Sequence, residues 1–368
     1  MSGEHEATAV DNMVVPGRQS RVGARGEEIR KFIIENVGKN PKQISSITAA
    51  HFGITRQAVN KHVQRLVIEK ALLPTGSTRD KSYRLAALSE WRHLYYMNPE
   101  LAEDQAWSRD VSPALGLLPR NVLDIWHFCF TEIFNNAIDH SGGSEIFVEV
   151  ARTAATTQIL LMDNGVGIFK KIQQALNLLD ERHAILELAK GKLTTAPAAH
   201  TGQGIFFSSR LVDSFDILSG GVYYTHKFGE EGDWVLEVPE AGEGTTVFMK
   251  LNNHSSRTDR QIFEQYTSGE DYGFTKTVVP VRLAQYGEDR LISRSQAKRL
   301  LSRVELFRTV LFDFEGVESI GQAFADEIFR VFARSHPQMD LVPTNASPQV
   351  QQVINSARAQ WAAETGGL

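Results

Sequence analysis

The sequence predicts a multidomain protein of mixed α/β and α+β class, with a small N-terminal domain, a central α/β sandwich and a small C-terminal α/β domain. Three observations lead to this prediction. The 368 residues are enough for two or three domains. Residues 17–85 hold fourteen basic and five acidic residues, although the whole chain has a net charge of −5. The apolar pattern then changes along the chain, from helical spacing to alternating strands and helices.

Composition indicates an ordinary globular protein, since 42% of the residues are hydrophobic and 23% are charged. No apolar run approaches the roughly 18 residues that span a bilayer, and the first twenty residues lack the apolar core of a secretory signal. The single cysteine, Cys129, excludes an intrachain disulfide framework and gives no support to a cysteine-rich zinc site. We therefore expect a cytoplasmic protein with no membrane partner. Residues 1–25 are expected to form a flexible polar tail ahead of the first domain.

The first predicted domain, residues 26–86, contains three helices and a hairpin. Apolar residues recur at helical spacing in residues 27–37, and a short second helix covers ITAAHF before Gly53. Thr55 is a good N-cap for a third helix, TRQAVNKHVQRLVIEK. The segment LLPTGSTRDKSYRL has two apolar ends around a turn sequence, which predicts a hairpin.

This order of elements resembles a winged helix-turn-helix, and the turn FGITRQAV before the third helix is its most informative part. The exposed side of such a helix can enter a major groove and hydrogen-bond base edges, while the basic hairpin contacts phosphates. A basic module for protein interaction, or a winged helix used for dimerisation, is the alternative. The resemblance predicts DNA as a partner, contacted by Arg56, Gln57, Asn60, Lys61, Arg65, Arg79 and Lys81.

Residues 87–118 are predicted to connect this domain to the next one. The segment WRHLYYM has helical character, and Pro99 and Pro113 interrupt the connector. We expect its aromatic side chains to pack against a neighbouring domain, and a base-stacking surface is the alternative interpretation. These aromatic residues are Trp91, Tyr95, Tyr96 and Trp107.

Four motifs follow in order within residues 119–254. The first, FTEIFNNAIDH, falls on an amphipathic helix, so Glu132 and Asn136 share one face. A carboxylate there can orient a water molecule, and a carboxamide oxygen is a hard ligand suited to Mg2+. The second, ILLMDNGVGI, is an apolar strand that ends at Asp163 and two glycines. The third, HTGQGIFFSSRLV, is a glycine-rich turn that opens a helix, where backbone N–H groups can face phosphates. The fourth, GEGTTVFMKL, leads from a glycine turn into an alternating strand.

The ordered set resembles the N, G1, G2 and G3 boxes of the GHKL superfamily, which includes gyrase and the histidine kinases, and it implies ATP and Mg2+ as cofactors. By that resemblance Glu132 is the catalytic or water-orienting carboxylate, and Asn136 is the Mg2+ ligand. Asp163 binds adenine in a pocket shaped by Gly165 and Gly167. The other residues of the implied nucleotide site are Asp139, His140, Gly202, Gln203, Gly204 and Thr245. The family fold is an α/β sandwich with a mixed sheet, and an ATP lid is implied at residues 169–200.

The motifs leave open whether ATP is hydrolysed or its phosphate is transferred. Asp139 is more typical of the hydrolysing gyrase branch, whereas His140 occupies a position where kinases often have a histidine. A conventional histidine kinase is not favoured, because neither His93 nor His127 lies in a recognisable phosphorylation box. We therefore favour an ATPase over a protein kinase.

Residues 270–362 alternate strands and helices again, which predicts a small α/β domain with a helix opened near Ser293. The run VLFDFEGVESIGQAFADEIF resembles the core of STAS domains, the fold of anti-sigma-factor antagonists. Antagonists that are switched by phosphorylation carry an Asp-Ser pair in this loop. This chain has Gly321 and Gln322 there, so that switch is not expected.

Together these features predict an ATP-binding transcriptional regulator that binds DNA and uses Mg-ATP as a conformational switch. The alternative is an anti-sigma-type serine protein kinase that acts on a partner or on a STAS-like domain. A protein partner bound through the STAS-like domain is compatible with the sequence. So is a homodimer, since winged-helix regulators often bind two half-sites.

Overall fold

The computed structural model describes residues 24–77, 80–193, 202–229, 233–238, 242–267, 273–285 and 290–365. The chain has mixed α/β structure and divides into two compact units, Met1–Ala86 and Ala87–Leu368. The predicted multidomain class of mixed helices and sheets is therefore confirmed. In the ranges given above, no helix combines the length and the apolar character needed to cross a membrane.

The described part of the first unit is three helices followed by a hairpin, as the sequence predicts. Ile33 from the first helix and Val63 from the third are fully buried in its hydrophobic centre. The two expected caps are present: Gly53 is left-handed with φ of 63°, and the Thr55 hydroxyl accepts a hydrogen bond from Ala58 N at 3.2 Å. The elements are α1 Ala24–Asn36, α2 Ile44–Phe52, α3 Arg56–Ile68, β1 Leu72–Thr75 and β2 Ser82–Leu85.

Strands β1 and β2 form the predicted antiparallel hairpin, in a register that places Leu72 opposite Leu85. Arg79 lies outside the described residues. Because α1 begins at Ala24, the predicted tail at residues 1–25 is helical in its last two residues. The rest of that tail lies outside the described ranges.

The segment that was predicted to be a helical connector begins instead with a strand, β3 Ala87–Tyr96, so this prediction was wrong. The strand pairs antiparallel with the strand that follows it in the chain. Trp91, His93 and Tyr95 are two residues apart and share one face, where their rings contact one another in turn. Packing along and across the strand therefore outweighs the local helical tendency.

The aromatic residues of this segment mainly pack, as expected. Trp91 and Trp107 are partly buried against the hydrophobic core, and Tyr95 is buried with its hydroxyl donating to Asp110 at 3.0 Å. Tyr96 is the exception, because 64% of its surface is exposed. The segment ends with α4 Glu103–Ala106, a π-helical stretch Trp107–Val111 and α5 Ser112–Leu115.

The largest sheet of the second unit lies in its central part. The elements there are α6 Arg120–His140, β4 Glu145–Thr153, β5 Thr156–Asp163, α7 Ile168–Leu176, α8 Glu181–Lys190, α9 Gly204–Leu211, β6 Ser214–Ser219, β7 Val222–Lys227, β8 Trp234–Glu237, β9 Thr245–Asn252 and α10 Asp259–Tyr266. Seven described strands form the sheet in the order β3-β4-β5-β9-β6-β7-β8. Each described pairing is antiparallel, because β5 and β6 both run opposite to β9 between them. The mixed sheet implied by the resemblance is therefore wrong for these strands.

Helix α6 packs on this sheet and forms much of the core. Alternate residues of the neighbouring strands, such as Val148 in β4 and Ile159 in β5, are fully buried in the same hydrophobic cluster. The period of two in the strands and the helical period in α6 thus direct their apolar faces toward each other. The predicted amphipathic character of this helix is confirmed, since its apolar side is buried: Val122, Ile125, Trp126, Cys129, Ile133 and Phe134.

The C-terminal part of the second unit confirms the predicted alternation of strands and helices. Its elements are β10 Lys276–Pro280, α11 Arg294–Leu301, β11 Thr309–Asp313, α12 Gln322–Asp326, α13 Ala333–Ser335, β12 Asp340–Thr344 and α14 Pro348–Thr365, with a π-helical stretch Glu327–Phe332 between α12 and α13 and 3-10 helices at Val281–Ala284 and Val304–Leu306. The three strands are parallel, in the order β10-β11-β12. Ser293 and Gln296 form a capping box that opens α11 near the predicted position.

Candidate functional site

A cavity of about 310 Å3 lies between helix α6, the end of β5 and the start of β9. Helices α7, α8 and α9 complete its wall. Small-molecule sites have volumes of roughly 300–1,000 Å3, so this cavity is large enough for a ligand. It brings together parts of all four motifs, and the predicted site residues that line it are Glu132, Asn136, His140, Asp163, Gly202, Gly204 and Thr245.

One face of α6 supplies a row of polar side chains to this cavity. Glu132, Asn136 and His140 are four residues apart, so each lies about 6 Å further along the helix than the one before. Asp139 lies on a different face, is exposed, and does not line the cavity. The helical period therefore separates Asp139 from the other residues of its motif.

The glycine turn of the third motif lets Glu132 approach the start of α9. A Cβ atom at Gly204 would overlap the Glu132 Oε2 atom. Gly202 has φ of 67°, and its carbonyl accepts a hydrogen bond from Leu193 N at 3.0 Å. Gln203 lies between the two glycines but does not line the cavity. Because the first N–H groups of a helix have no partner within it, this turn aims the positive end of α9 at Glu132.

Asp163 lines the cavity from the last position of β5. Its Oδ1 accepts a hydrogen bond from Gly165 N at 2.9 Å, and Thr245 is its cross-strand neighbour on β9. Burial raises the pKa of Asp163 above its usual value, while hydrogen bonds from Gly165 and Thr245 act in the other direction. The Thr245 hydroxyl also accepts from Ile168 N at 3.0 Å, which joins the start of α7 to the same corner.

The glycines of the second motif lie behind the cavity wall instead of lining it. Gly167 has φ of 94°, and a Cβ atom there would be 2.7 Å from the Ser219 hydroxyl oxygen. A Cβ atom at Gly165 would overlap the carbonyl oxygen of Ser141. Both positions thus require glycine so that neighbouring backbone segments can approach and hold Asp163 in place.

Several cavity residues were not among the predicted site residues. Apolar side chains on α7, β5 and β9, among them Ile168, Leu161 and Val247, form the wall around Asp163. Lys171 also lines the cavity, and its ammonium group donates a hydrogen bond to the His140 carbonyl oxygen. The pair Lys170-Lys171 looks like ordinary surface charge, and only the phase of α7 decides which lysine faces inward. Within the described ranges, no group of three or more His, Cys, Asp or Glu side chains is placed to hold a metal ion.

The predicted lid at residues 169–200 contains α7 and α8, and residues 194–200 lie outside the described ranges. The end of α8 is fixed to the C-terminal part of the unit. Lys190 is fully buried, and its ammonium group donates to Glu187 at 2.8 Å and to the carbonyl of Ser302 at 2.7 Å. Glu187 also pairs with Arg303 at 3.1 Å. Buried charges that are paired in this way connect the cavity wall to the segment that follows α11.

The first unit presents the predicted DNA-contacting residues of α3 to solvent. Arg56, Gln57, Asn60, Lys61 and Arg65 are all exposed, as is Lys81 beside the hairpin, while Arg79 lies outside the described residues. Three of these side chains already have partners, and one of them is Lys81, whose ammonium group lies 5.5 Å from the centre of the Tyr83 ring. Arg65 pairs with Glu69 at 2.7 Å, and the Asn60 side-chain oxygen accepts from the Ser45 hydroxyl at 2.8 Å.

Comparison with known proteins identifies one part of the chain. The model of a family described as a STAS-like domain of unknown function matches residues 296–351. This range runs from α11 into α14 and confirms the STAS-like prediction for the C-terminal part. No curated protein matches the chain significantly.

Proposed function

We propose that the cavity binds Mg-ATP in the manner of GHKL proteins and that the chain is a nucleotide-dependent DNA-binding regulator. The observation that supports this most strongly is the meeting of four sequence motifs, more than a hundred residues apart at their extremes, around one cavity. A fold that buries polar residues from separate elements in one concavity is typical of a ligand site.

In this proposal the end of the cavity at Asp163 recognises the base. Asp163 is partly buried, held by Gly165 N, and surrounded by apolar side chains that can cover an adenine ring. A carboxylate accepts a hydrogen bond from an exocyclic amino group, whereas a base with a carbonyl at that position presents no donor. The corner formed by Asp163 and Thr245 would thereby select adenine.

The part of the cavity at Gly202 and Gly204 would hold the phosphates near Glu132 and Asn136. Gly204 and Ile205, the first residues of α9, line the cavity, and the start of a helix suits an anion. Mg2+ is usually bound by one or two protein groups together with phosphate oxygens and waters. Asn136 supplies such a group, and bound Mg2+ would neutralise phosphate charge.

Glu132 is the candidate catalytic residue in this site. Its carboxylate lies at the start of α9, where it can hold and orient a water molecule beside the terminal phosphate. We expect hydrolysis to set how long the nucleotide-bound state lasts. The turn at Gly204 and the face of α6 fix the position of this carboxylate from two sides.

The first unit would bind DNA through the exposed side of α3. Its helix order, capped third helix and basic hairpin support a winged helix-turn-helix. For ATP to change DNA binding, it must bind two conformations of the protein unequally. This is tested by measuring the affinity for bulk DNA with and without a non-hydrolysable ATP analogue. Equal affinities and equal salt dependence would contradict the coupling.

A serine protein kinase is the second candidate, because a STAS-like domain occupies residues 296–351 of the same chain. Incubation with Mg2+ and γ-labelled ATP separates the two candidates, with Glu132→Ala and Asn136→Ala as controls. Label released as free phosphate, and absent in both variants, supports the ATPase. Label retained on this chain or on an added partner supports the kinase.

A further inference from the structure

Lys171 is a cavity residue to which no motif assigns a role. It lies in the first turns of α7, immediately after the glycines of the second motif. Among the described residues that line the cavity, it is the one lysine or arginine. The other ionisable side chains of that lining are Glu132, Asp163 and His140.

The position of the Lys171 ammonium group is fixed by the end of α6. It donates a hydrogen bond to the carbonyl oxygen of His140, the last residue of that helix. Carbonyl groups at a helix C-terminus lack partners within the helix, and the helix dipole favours a cation there. An ammonium group has three donors, so this contact leaves two that can serve a ligand in the cavity.

The charges that face the cavity explain why a cation is needed there. Glu132 and Asp163 both contribute carboxyl groups, which repel the phosphates of a nucleotide. Backbone N–H groups at the start of α9 supply partial positive charge, whereas Lys171 supplies the full positive charge of the described lining. A lysine serves phosphate as a compact point charge on a long flexible stem, which lets it follow a ligand.

We propose that Lys171 is the phosphate-binding cation of this site, and that it makes the cavity select phosphorylated adenine nucleotides over adenosine. This inference rests on the proposed ATP-binding function. It adds a nucleotide-binding residue, Lys171, that lies outside the four motifs. The ammonium group remains on the His140 carbonyl and uses its free donors on phosphate oxygens. Its contribution therefore depends on ligand charge and is absent for the uncharged nucleoside.

The test compares Lys171→Gln with Lys170→Gln by calorimetric titration of the whole chain with ADP, ATP and adenosine. Glutamine keeps a side-chain donor for the His140 carbonyl but removes the charge. Lys170 is the matched control, since it is the preceding residue on the same helix and is exposed. We expect Lys171→Gln to weaken ADP and ATP binding by about tenfold or more, to leave adenosine binding within about twofold, and to differ clearly from the control.

Two outcomes overturn the inference without affecting the proposed function: equal ADP affinity of the two variants, or an equal loss of ADP and adenosine binding. Lys171→Arg provides a further check, because it keeps the charge and should bind ADP better than Lys171→Gln does. If the unaltered protein binds neither ADP nor ATP, the proposed function itself is contradicted. Thermal unfolding of each variant shows whether a loss of binding comes from a loss of folding.

Discussion

The protonation state of Asp163 should control the affinity for adenine. Burial raises its pKa above the usual value, so the carboxyl becomes protonated at a higher pH than an exposed aspartate does. The ionised carboxylate is the stronger acceptor for the adenine amino group, because protonation turns one of its oxygens into a donor. We therefore expect adenosine affinity to fall as the pH is lowered, and to fall at a higher pH than it would if the carboxyl had the pKa of an exposed aspartate.

Binding titrations at a series of pH values check the prediction, with Asp163→Asn as the reference. The amide does not ionise as the pH is lowered, so its weaker binding should not change with pH. If the unaltered protein and Asp163→Asn gave parallel pH profiles, ionisation of this carboxyl would have no role in adenosine binding. Adenosine affinity should fall with falling pH because a ligand that prefers the ionised carboxyl binds more weakly once the pH drops below the pKa of that carboxyl in the free protein.

Gly204 should be intolerant of a side chain, since a Cβ atom there would overlap the Glu132 carboxylate. We expect Gly204→Ala to displace Glu132, abolish ATP hydrolysis, and reduce the free energy of unfolding by about 1–3 kcal/mol. Gly38→Ala is the matched control, because no atom lies within 4 Å of its added Cβ. Phosphate release and thermal unfolding of both variants test this; full activity of Gly204→Ala would exclude the proposed position of Glu132.

At the scale of single elements, α3 is the part of the first unit with the clearest expected effect. Lys61 is exposed on α3 among other polar side chains. We expect Lys61→Gln to weaken DNA binding roughly threefold to tenfold and to reduce the salt dependence, since one phosphate contact contributes a slope of about 0.9. Lys31→Gln, on α1, is the control because it removes the same charge from another helix. Equal DNA affinity of the two variants would contradict a recognition role for α3.

Elements with strong local signals could be predicted from the sequence, whereas those determined by packing could not. The apolar period of α6 and the cap at Thr55 are local, and both predictions were confirmed. The local sequence of β3 favours a helix, but the segment forms a strand because it pairs with β4. That pairing cannot be read from the segment alone. Likewise, the motifs name Glu132 and Asp163, but the inward position of Lys171 depends on how α7 packs.

At the scale of the second unit, the buried charges at the end of α8 connect the cavity wall to the STAS-like part. Lys190 is paired with Glu187 and hydrogen-bonded to Ser302, and burial lowers its pKa. Lys190→Met would leave Glu187 with Arg303 and would remove these bonds. We expect it to reduce the free energy of unfolding by about 3 kcal/mol, measured by denaturant titration.

Lys298→Met is the control for this loss, because Lys298 is largely exposed on α11 and its nearest acidic partner is 4.0 Å away. An exposed pair of this kind contributes about 1 kcal/mol or less. If Lys190→Met were as stable as Lys298→Met, the buried cluster would not hold the two parts of the unit together. Nucleotide affinity should fall in Lys190→Met as well, since Leu188 on the same helix lines the cavity.

Calorimetric titration of the whole chain with ATP shows whether the cavity between α6 and the sheet binds Mg-ATP, as we propose. We expect saturable binding of one ATP per chain, which weakens by at least about tenfold in Asp163→Asn and loses its Mg2+ dependence in Asn136→Ala. The absence of saturable binding would contradict the account. So would ATP binding that is unchanged in both variants, because the nucleotide would then occupy another site.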